Sequence, residues 1–153
     1  MSMCRKVVKQ SQTEAIAAKL AGLLKPGDVV CLSGDLGAGK TTFTKALGKA
    51  LGIKENITSP TFNLVQEYEG DLPLYHFDVY RLLKPSEFRD LGAEDYLTGS
   101  GVCVIEWANL VKEYLPERHL WIEIKWLDAS RREICITPSE AFGNTLVKEL
   151  GIT

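Results

Sequence analysis

The chain has 153 residues, a length typical of one domain, and its 45% apolar and 25% charged residues are ordinary for a globular protein. A net charge of -2 and scattered basic residues argue against a protein that grips nucleic acid tightly by itself. No run approaches the ~18 apolar residues of a membrane span, and the N-terminus has no signal-like hydrophobic stretch. We therefore expect a single domain over residues 1–153, cytoplasmic and without membrane contact.

The chain has four cysteines and two histidines that could bind zinc or form disulfides: Cys4, Cys31, Cys103, Cys135, His76 and His119. No two cysteines have C-x-x-C spacing and the histidines lie far apart, which argues against a zinc site. Cys31, Cys103 and Cys135 lie in apolar runs and are expected to be small core residues. Nothing in the spacing indicates a disulfide, as is usual in a reducing cytoplasm.

The first half of the chain alternates helical and strand patterns. Residues 11–24 have apolar residues at helical spacing, with Ser11 and Glu14 as a capping box. VVCLS (29–33) is uniformly apolar, which predicts a strand buried on both faces. A glycine-rich stretch follows, and a helix then runs from Lys40 to a stop at Gly52.

The middle of the chain predicts a loop, two strands and two helical turns. Residues 53–62 have no helical period and form a connecting loop. FNLVQEY and LYHFDVY are strand candidates joined by EGDLP. KPSEFRDLG and AEDYLTGSG are expected to be short helical turns, and VCVIEW to be another apolar strand.

The last third predicts a short helix in ANLVKEYL, a half-exposed strand in LWIEIKWLD and an antiparallel partner in EICIT. Thr137, Pro138 and Glu140 are typical of the start of a final helix. The whole pattern indicates an α/β fold of the P-loop NTPase type, with a mainly parallel sheet, helices on both faces and an antiparallel edge hairpin.

The stretch GDLGAGKTT matches the pattern G-x-x-x-x-G-K-[ST] between a predicted strand and a predicted helix. Its glycines let successive backbone N–H groups surround phosphate oxygens. Lys40 is expected to reach the β- and γ-phosphates of a nucleotide, and the Thr41 hydroxyl to coordinate magnesium. The predicted nucleotide-binding residues of this stretch are Gly34, Asp35, Leu36, Gly37, Ala38, Gly39, Lys40, Thr41 and Thr42.

Magnesium also needs an acidic partner, commonly at the end of a neighbouring strand. Glu106 ends VCVI and Asp78 ends LYHF, and the carboxyl ends of parallel strands open onto the ligand crevice. Glu106 follows the more apolar strand and is the first choice for the metal. Asp78 is a second candidate for the metal or for ordering the attacking water. The alternative for both is a solvated acid at a strand end.

Three further features bear on the nucleotide. A threonine in TSPTF (58–62) is placed to sense the γ-phosphate, although an ordinary Ser-Pro turn is an equal alternative. The guanine-reading N-K-x-D sequence is absent, which favours ATP over GTP. Arg132, near the predicted C-terminal hairpin, is a candidate nucleotide contact, although a surface arginine is more usual.

The motifs GDLGAGKTT, SPTF, YHFDVYRL and VIEW, in that order, resemble the TsaE family, also called YjeE, over residues 10–137. SPTF followed by HFDVYRL and EW is much more specific than the glycine-rich motif alone. The resemblance carries over the following roles: Lys40 for phosphate binding, Thr41 and Glu106 for magnesium, Thr61 as the switch residue, Asp78 as an acid near the catalytic centre, Trp107 as the aromatic after the strand glutamate, and Arg132 as a nucleotide contact.

The resemblance also implies an activity and its partners. TsaE proteins are small ATPases of bacterial threonylcarbamoyladenosine tRNA modification, with ATP and Mg²⁺ as cofactors. TsaD and TsaB transfer threonylcarbamoyl onto the adenosine next to the anticodon in tRNAs that read codons beginning with A. The ATPase resets that complex for further turnovers, so its contact with tRNA is indirect. We expect slow ATP hydrolysis by the chain alone and stimulation by TsaD–TsaB, with Tyr80, Arg81 and residues 58–62 as contact points.

Two other functions fit the glycine-rich motif. A small-molecule kinase of P-loop fold also has this loop in a short chain, but it needs an acceptor pocket and often an arginine-rich lid. The arginines here are scattered and no lid-like insertion is evident. A nucleotide-dependent binding module, in which ATP only sets a conformation, overlaps with the family role.

Overall fold

A mixed β-sheet runs through the part of the chain that the computed structural model describes, residues 2–35, 37–58, 60 and 64–151. Its strands are β1 Met3–Val7, β2 Val29–Ser33, β3 Val65–Tyr68, β4 Leu74–Asp78, β5 Val102–Glu106, β6 Leu120–Trp126 and β7 Arg132–Pro138. They are ordered β1-β7-β6-β2-β5-β4-β3. The four central strands β6, β2, β5 and β4 are mutually parallel, while β7 and β3 run in the opposite direction.

The central strands are apolar because both of their faces are covered. β2 and β5 are buried along their whole length. The helices are α1 Gln10–Ala21, α2 Lys40–Ala50, α3 Ser86–Asp90, α4 Ala93–Leu97 and α5 Thr145–Leu150. α1, α2 and α5 contribute to one hydrophobic cluster and α3 and α4 to the other. Alternate residues of β2 belong to the two clusters, so the predicted α/β fold with helices on both faces is confirmed.

Within the described residues, no helix combines the length and the apolar character that crossing a bilayer requires.

Three local predictions were wrong. The Ser11–Glu14 capping box does not form, because α1 starts at Gln10 and the Gln12 side chain instead accepts bonds from the backbone N–H groups of Val8 and Lys9. ANLVKEYL forms two 3-10 turns, Ala108–Leu110 and Lys112–Tyr114, rather than a helix.

The predicted final helix at Thr137 is also wrong. Pro138 is the last residue of β7 and lies opposite Leu120 of β6. The capping signals therefore belong to the end of a strand, and the helix starts only at Thr145. Strand pairing has overridden local helix signals here, as tertiary context often does.

The cysteine prediction needs a correction as well. Cys4 and Cys135 form a disulfide that joins β1 to β7, where the two residues are direct partners with Cα atoms 4.0 Å apart. Sequence spacing could not reveal this pair, because 131 positions separate the cysteines and β1 was not predicted as a strand. The pairing removes the cysteine argument for a reducing compartment. Cys31 and Cys103 are free and buried, as expected.

Cys4→Ser is expected to lower the free energy of unfolding by about 2–4 kcal/mol, because the disulfide closes a long loop in the unfolded chain. Denaturant unfolding of wild type and variant, with and without reductant, measures this effect. The two proteins should be equally stable in reductant. Equal stability without reductant would show that the bond does not form or does not stabilise the fold.

Candidate functional site

Three neighbouring parallel strands end at one edge of the sheet and bring the candidate site residues together. β2 ends at Ser33 and continues into the glycine-rich loop, residues 34–39, which leads into α2. β5 lies beside β2, and β4 lies beside β5. Asp78 and Glu106, the last residues of β4 and β5, are register partners. Because parallel strands present their carboxyl ends at the same edge, both acids lie next to the loop.

The loop requires glycine at defined positions. Gly37 and Gly39 have φ values of 78° and 111°, in the region that L side chains rarely adopt. Gly34 has φ 144°, and a Cβ atom there would lie 2.3 Å from the carbonyl oxygen of Ile124. The close approach of β6 thus excludes any side chain at this position. These constraints fix the curled backbone from which α2 begins.

Lys40 begins α2 and its side chain turns back into the loop. Its Nζ donates hydrogen bonds to the carbonyl oxygens of Gly34 and Asp35, at 2.6 and 2.8 Å. The residue is only 5% exposed, and its ammonium lies 4.1 Å from the centre of the Trp107 ring. Burial lowers the pKa of Lys40 from its usual value, while nearby carboxylates oppose that change. The two carbonyl contacts place the Lys40 ammonium against the loop.

Carboxylate and hydroxyl oxygens gather beside this charge. The Thr41 hydroxyl donates to Oε1 of the buried Glu106 at 3.3 Å. Asp78 accepts a bond from the backbone N–H of Tyr80 at 3.1 Å. Burial raises the pKa of Asp78, and the charge of Glu106 adds to that effect. The site thus holds two acidic groups close together beside the Lys40 ammonium, and a further cation would reduce the cost of that arrangement.

The donor set suits magnesium. A cavity of about 300 Å³ is lined by Gly37, Gly39, Lys40, Thr41, Thr42, Asp78, Glu106 and Trp107. Mg²⁺ prefers hard oxygen ligands and is commonly held by one or two carboxylates together with phosphate oxygens. Thr41 and Glu106 supply such oxygens, with Asp78 nearby, and Lys40 supplies a charge for phosphate. These residues could hold a magnesium–phosphate group.

A second cavity of about 340 Å³ adjoins the loop, and Gly37, Gly39 and Thr42 line both cavities. Its wall also includes Arg132 and residues 7–10 of the N-terminal segment. Arg132 Nε donates to the carbonyl oxygen of Ala38 at 3.2 Å. The Arg132 side chain therefore contacts the loop through a hydrogen bond and also lines the cavity. This contact was not predicted from the sequence, because Arg132 and Ala38 are 94 positions apart.

Trp107 has the one non-glycine backbone with positive φ, 63°, among the described residues. Such backbone strain is often concentrated at functional sites. The Trp107 ring lies over Lys40 and stacks on Tyr80 with ring centres 4.6 Å apart. Tyr80 is 49% exposed, so this pair links the surface to the lysine.

His76 was not predicted as part of this site, because its spacing from His119 was weighed only against a zinc site. The side chain is fully buried and forms a hydrogen bond to Oε2 of Glu106. The available signal was its position two residues before Asp78 on the same strand, which directs both side chains to one face. Leu36 and Thr61 lie outside the described residues, so their assigned roles stay predictions.

Comparison with known proteins identifies relatives over most of the chain. A family model described as "Threonylcarbamoyl adenosine biosynthesis protein TsaE" matches residues 7–134. A Bacillus subtilis protein named "tRNA threonylcarbamoyladenosine biosynthesis protein TsaE" is 51% identical over 140 residues, which cover 91% of this chain and 85% of the relative. A Treponema pallidum protein of the same name is 47% identical over 133 residues, which cover 86% of this chain and 98% of that relative.

A solved structure extends the similarity to three dimensions. The structure titled "Crystal structure of Bacillus subtilus YdiB" matches with a TM-score of 0.82 and 43% sequence identity. The match covers 98% of this chain and 94% of that chain. The similarity therefore includes the sheet edge on which the candidate site lies.

Proposed function

The chain belongs to the TsaE family, and from that premise we propose that it is a magnesium-dependent ATPase. Its turnover would support TsaD and TsaB in forming threonylcarbamoyladenosine on tRNAs that read codons beginning with A. Its role in the biosynthesis of this modified nucleoside follows from the family. The nucleotide, the metal and the two partners are the proposed refinements.

One observation carries the ATPase proposal. Lys40 and the hydrogen-bonded side chains of Thr41 and Glu106 line the same cavity. The cavity adjoins a loop whose glycines adopt positive φ values. The helix N-terminus at Lys40 adds a partial positive charge to the same place. A phosphate chain and its cation need this combination of donors, positive charge and hard oxygens.

The side chains have distinct proposed roles. Lys40 binds the terminal phosphates and stabilises the charge that develops during hydrolysis. Thr41 and Glu106 would hold magnesium, which when bound neutralises phosphate charge. Asp78 lines the same cavity, burial raises its pKa, and its proposed role is to accept a hydrogen bond from the attacking water. The cavity bordered by Arg132 extends from the loop and has room for the nucleoside.

Partner dependence is proposed from the surface beside the site. Tyr80 is half exposed and stacks on Trp107, which lies over Lys40. A protein that binds at Tyr80 and the exposed Arg81 can therefore change the surroundings of the lysine through one aromatic contact. This arrangement supports slow turnover by the chain alone and faster turnover in the complex.

The test is ATP turnover by the purified chain with and without TsaD, TsaB and tRNA. We expect the complex to stimulate ATP turnover by the wild type and to lose that effect in Arg81→Glu. Stimulation should be retained in Arg5→Glu, an exposed control on β1, the edge strand far from β4. No association and no change in rate would contradict the partner proposal. Transfer of the γ-phosphate to a metabolite, in place of phosphate release, would indicate a kinase.

A further inference from the structure

His76 and Glu106 form a buried pair behind the candidate site. His76 is on β4 and Glu106 ends β5, and the two strands are parallel neighbours. The two residues are 0% and 2% exposed, and His76 Nε2 is hydrogen-bonded to Glu106 Oε2. A buried polar pair of this kind is stable only when its hydrogen bonds are satisfied.

The two oxygens of Glu106 have different partners. Oε2 faces His76 in the interior, while Oε1 accepts the bond from the Thr41 hydroxyl at 3.3 Å. A carboxylate rotates about its last torsion with little restraint of its own. The histidine contact removes that freedom, because rotation of the carboxylate would break a buried hydrogen bond.

The hydrogen-bond network assigns the histidine tautomer. His76 Nδ1 is buried and has no hydrogen-bond partner among the described residues. A proton on Nδ1 would be a buried donor without an acceptor, which costs roughly 1–3 kcal/mol. A proton on Nε2 can be donated to the carboxylate oxygen, which only accepts. The proton is therefore assigned to Nε2.

We propose that His76 is a positioning residue for magnesium: its Nε2–H group fixes one oxygen of Glu106 and thereby directs the other oxygen toward Thr41 and the ligand cavity. The proposal rests on the proposed ATPase function. Histidine–carboxylate contacts behind a metal ligand commonly contribute 10–100-fold to affinity or activity, and here the usual order is reversed because the carboxylate is the ligand.

Two substitutions separate positioning from packing. His76→Gln keeps an N–H donor near the place of Nε2, and His76→Met has nearly the shape of the glutamine side chain but no donor. The first measurement is the affinity of each protein for ADP in EDTA and in Mg²⁺. We expect similar affinity in EDTA for all three proteins. The gain on adding Mg²⁺ should be about 10–100-fold smaller in His76→Met and largely retained in His76→Gln.

A purely structural role gives a different result. It would lower the melting temperature of His76→Met and leave the Mg²⁺ gain unchanged, which would overturn the proposal. If His76→Met fails to fold, His76→Asn takes its place, because the shorter side chain keeps the amide group but withdraws the donor from Glu106. A Mg²⁺ gain that is smaller in His76→Asn than in His76→Gln supports the proposal, and equal gains overturn it.

The ¹⁵N spectrum of the wild-type imidazole provides a readout that does not depend on ligand or activity. It is expected to show a protonated Nε2 and an unprotonated Nδ1 for His76. The opposite tautomer would overturn the proposal. Failure of the wild type to gain ADP affinity from Mg²⁺ would instead overturn the proposed magnesium site, and the role of His76 with it.

Discussion

Glu106→Gln is expected to lower ATP turnover by about 100-fold or more while ATP still binds. Glutamine has the shape of glutamate but lacks the negative charge that a divalent cation needs. The buried Glu106 is hydrogen-bonded to Thr41 inside the site cavity, so the substitution removes a negative charge at the place where the cation is expected. The measurement is phosphate release at saturating ATP, together with equilibrium binding of a labelled nucleotide.

The matched control is Glu113→Gln, the same chemical change at an exposed residue of a 3-10 turn. Turnover by this control should equal that of the wild type. Near-normal turnover by Glu106→Gln would contradict the assigned role of Glu106 at the metal. Loss of nucleotide binding would instead indicate that the glutamate is needed to form the site itself.

Lys40→Ala is expected to weaken ATP binding by roughly 10–100-fold, the equivalent of losing one or more charge-assisted hydrogen bonds. The ammonium is buried and bonded to two loop carbonyl groups, so its charge is fixed where phosphate is expected. Burial disfavours the charged form of Lys40 and lowers its pKa. Alanine removes that buried charge, and the variant is expected to stay folded.

Lys45→Ala is the control, because Lys45 is exposed on the same helix α2. Calorimetric titration with ATP should give wild-type affinity for this control. Thermal melts of both variants establish that they are folded. Unchanged ATP affinity in a folded Lys40→Ala protein would contradict a phosphate-binding role for the glycine-rich loop.

The central part of the fold was predictable from sequence because its signals are local. The uniformly apolar runs of β2 and β5 are required by burial on both faces, and both strands occur as predicted. β1 gave no such signal, since its middle residues are exposed and two of them, Arg5 and Lys6, are charged. Antiparallel pairing with β7 determines its structure, and that information lies more than a hundred positions away.

The candidate site was likewise predictable from the sequence only in part. The glycine-rich motif indicated Lys40 and Thr41 directly, and strand ends indicated Asp78 and Glu106. The contacts that hold these residues were not visible in the sequence. His76 lies 30 positions from Glu106, and Arg132 lies 94 positions from the loop residue Ala38. Such contacts depend on which strands lie side by side, and strands that are distant in the sequence carry no local signal of that pairing.

The most direct test of the central claim is the yield of threonylcarbamoyladenosine per TsaD–TsaB complex, measured with excess tRNA and threonylcarbamoyl donor. The wild-type chain with ATP and Mg²⁺ should support several modified tRNAs per complex. Glu106→Gln and Lys40→Ala should each support about one or fewer. Equal yields with wild type and both variants would contradict the account, because ATP hydrolysis at this site would then contribute nothing to the modification.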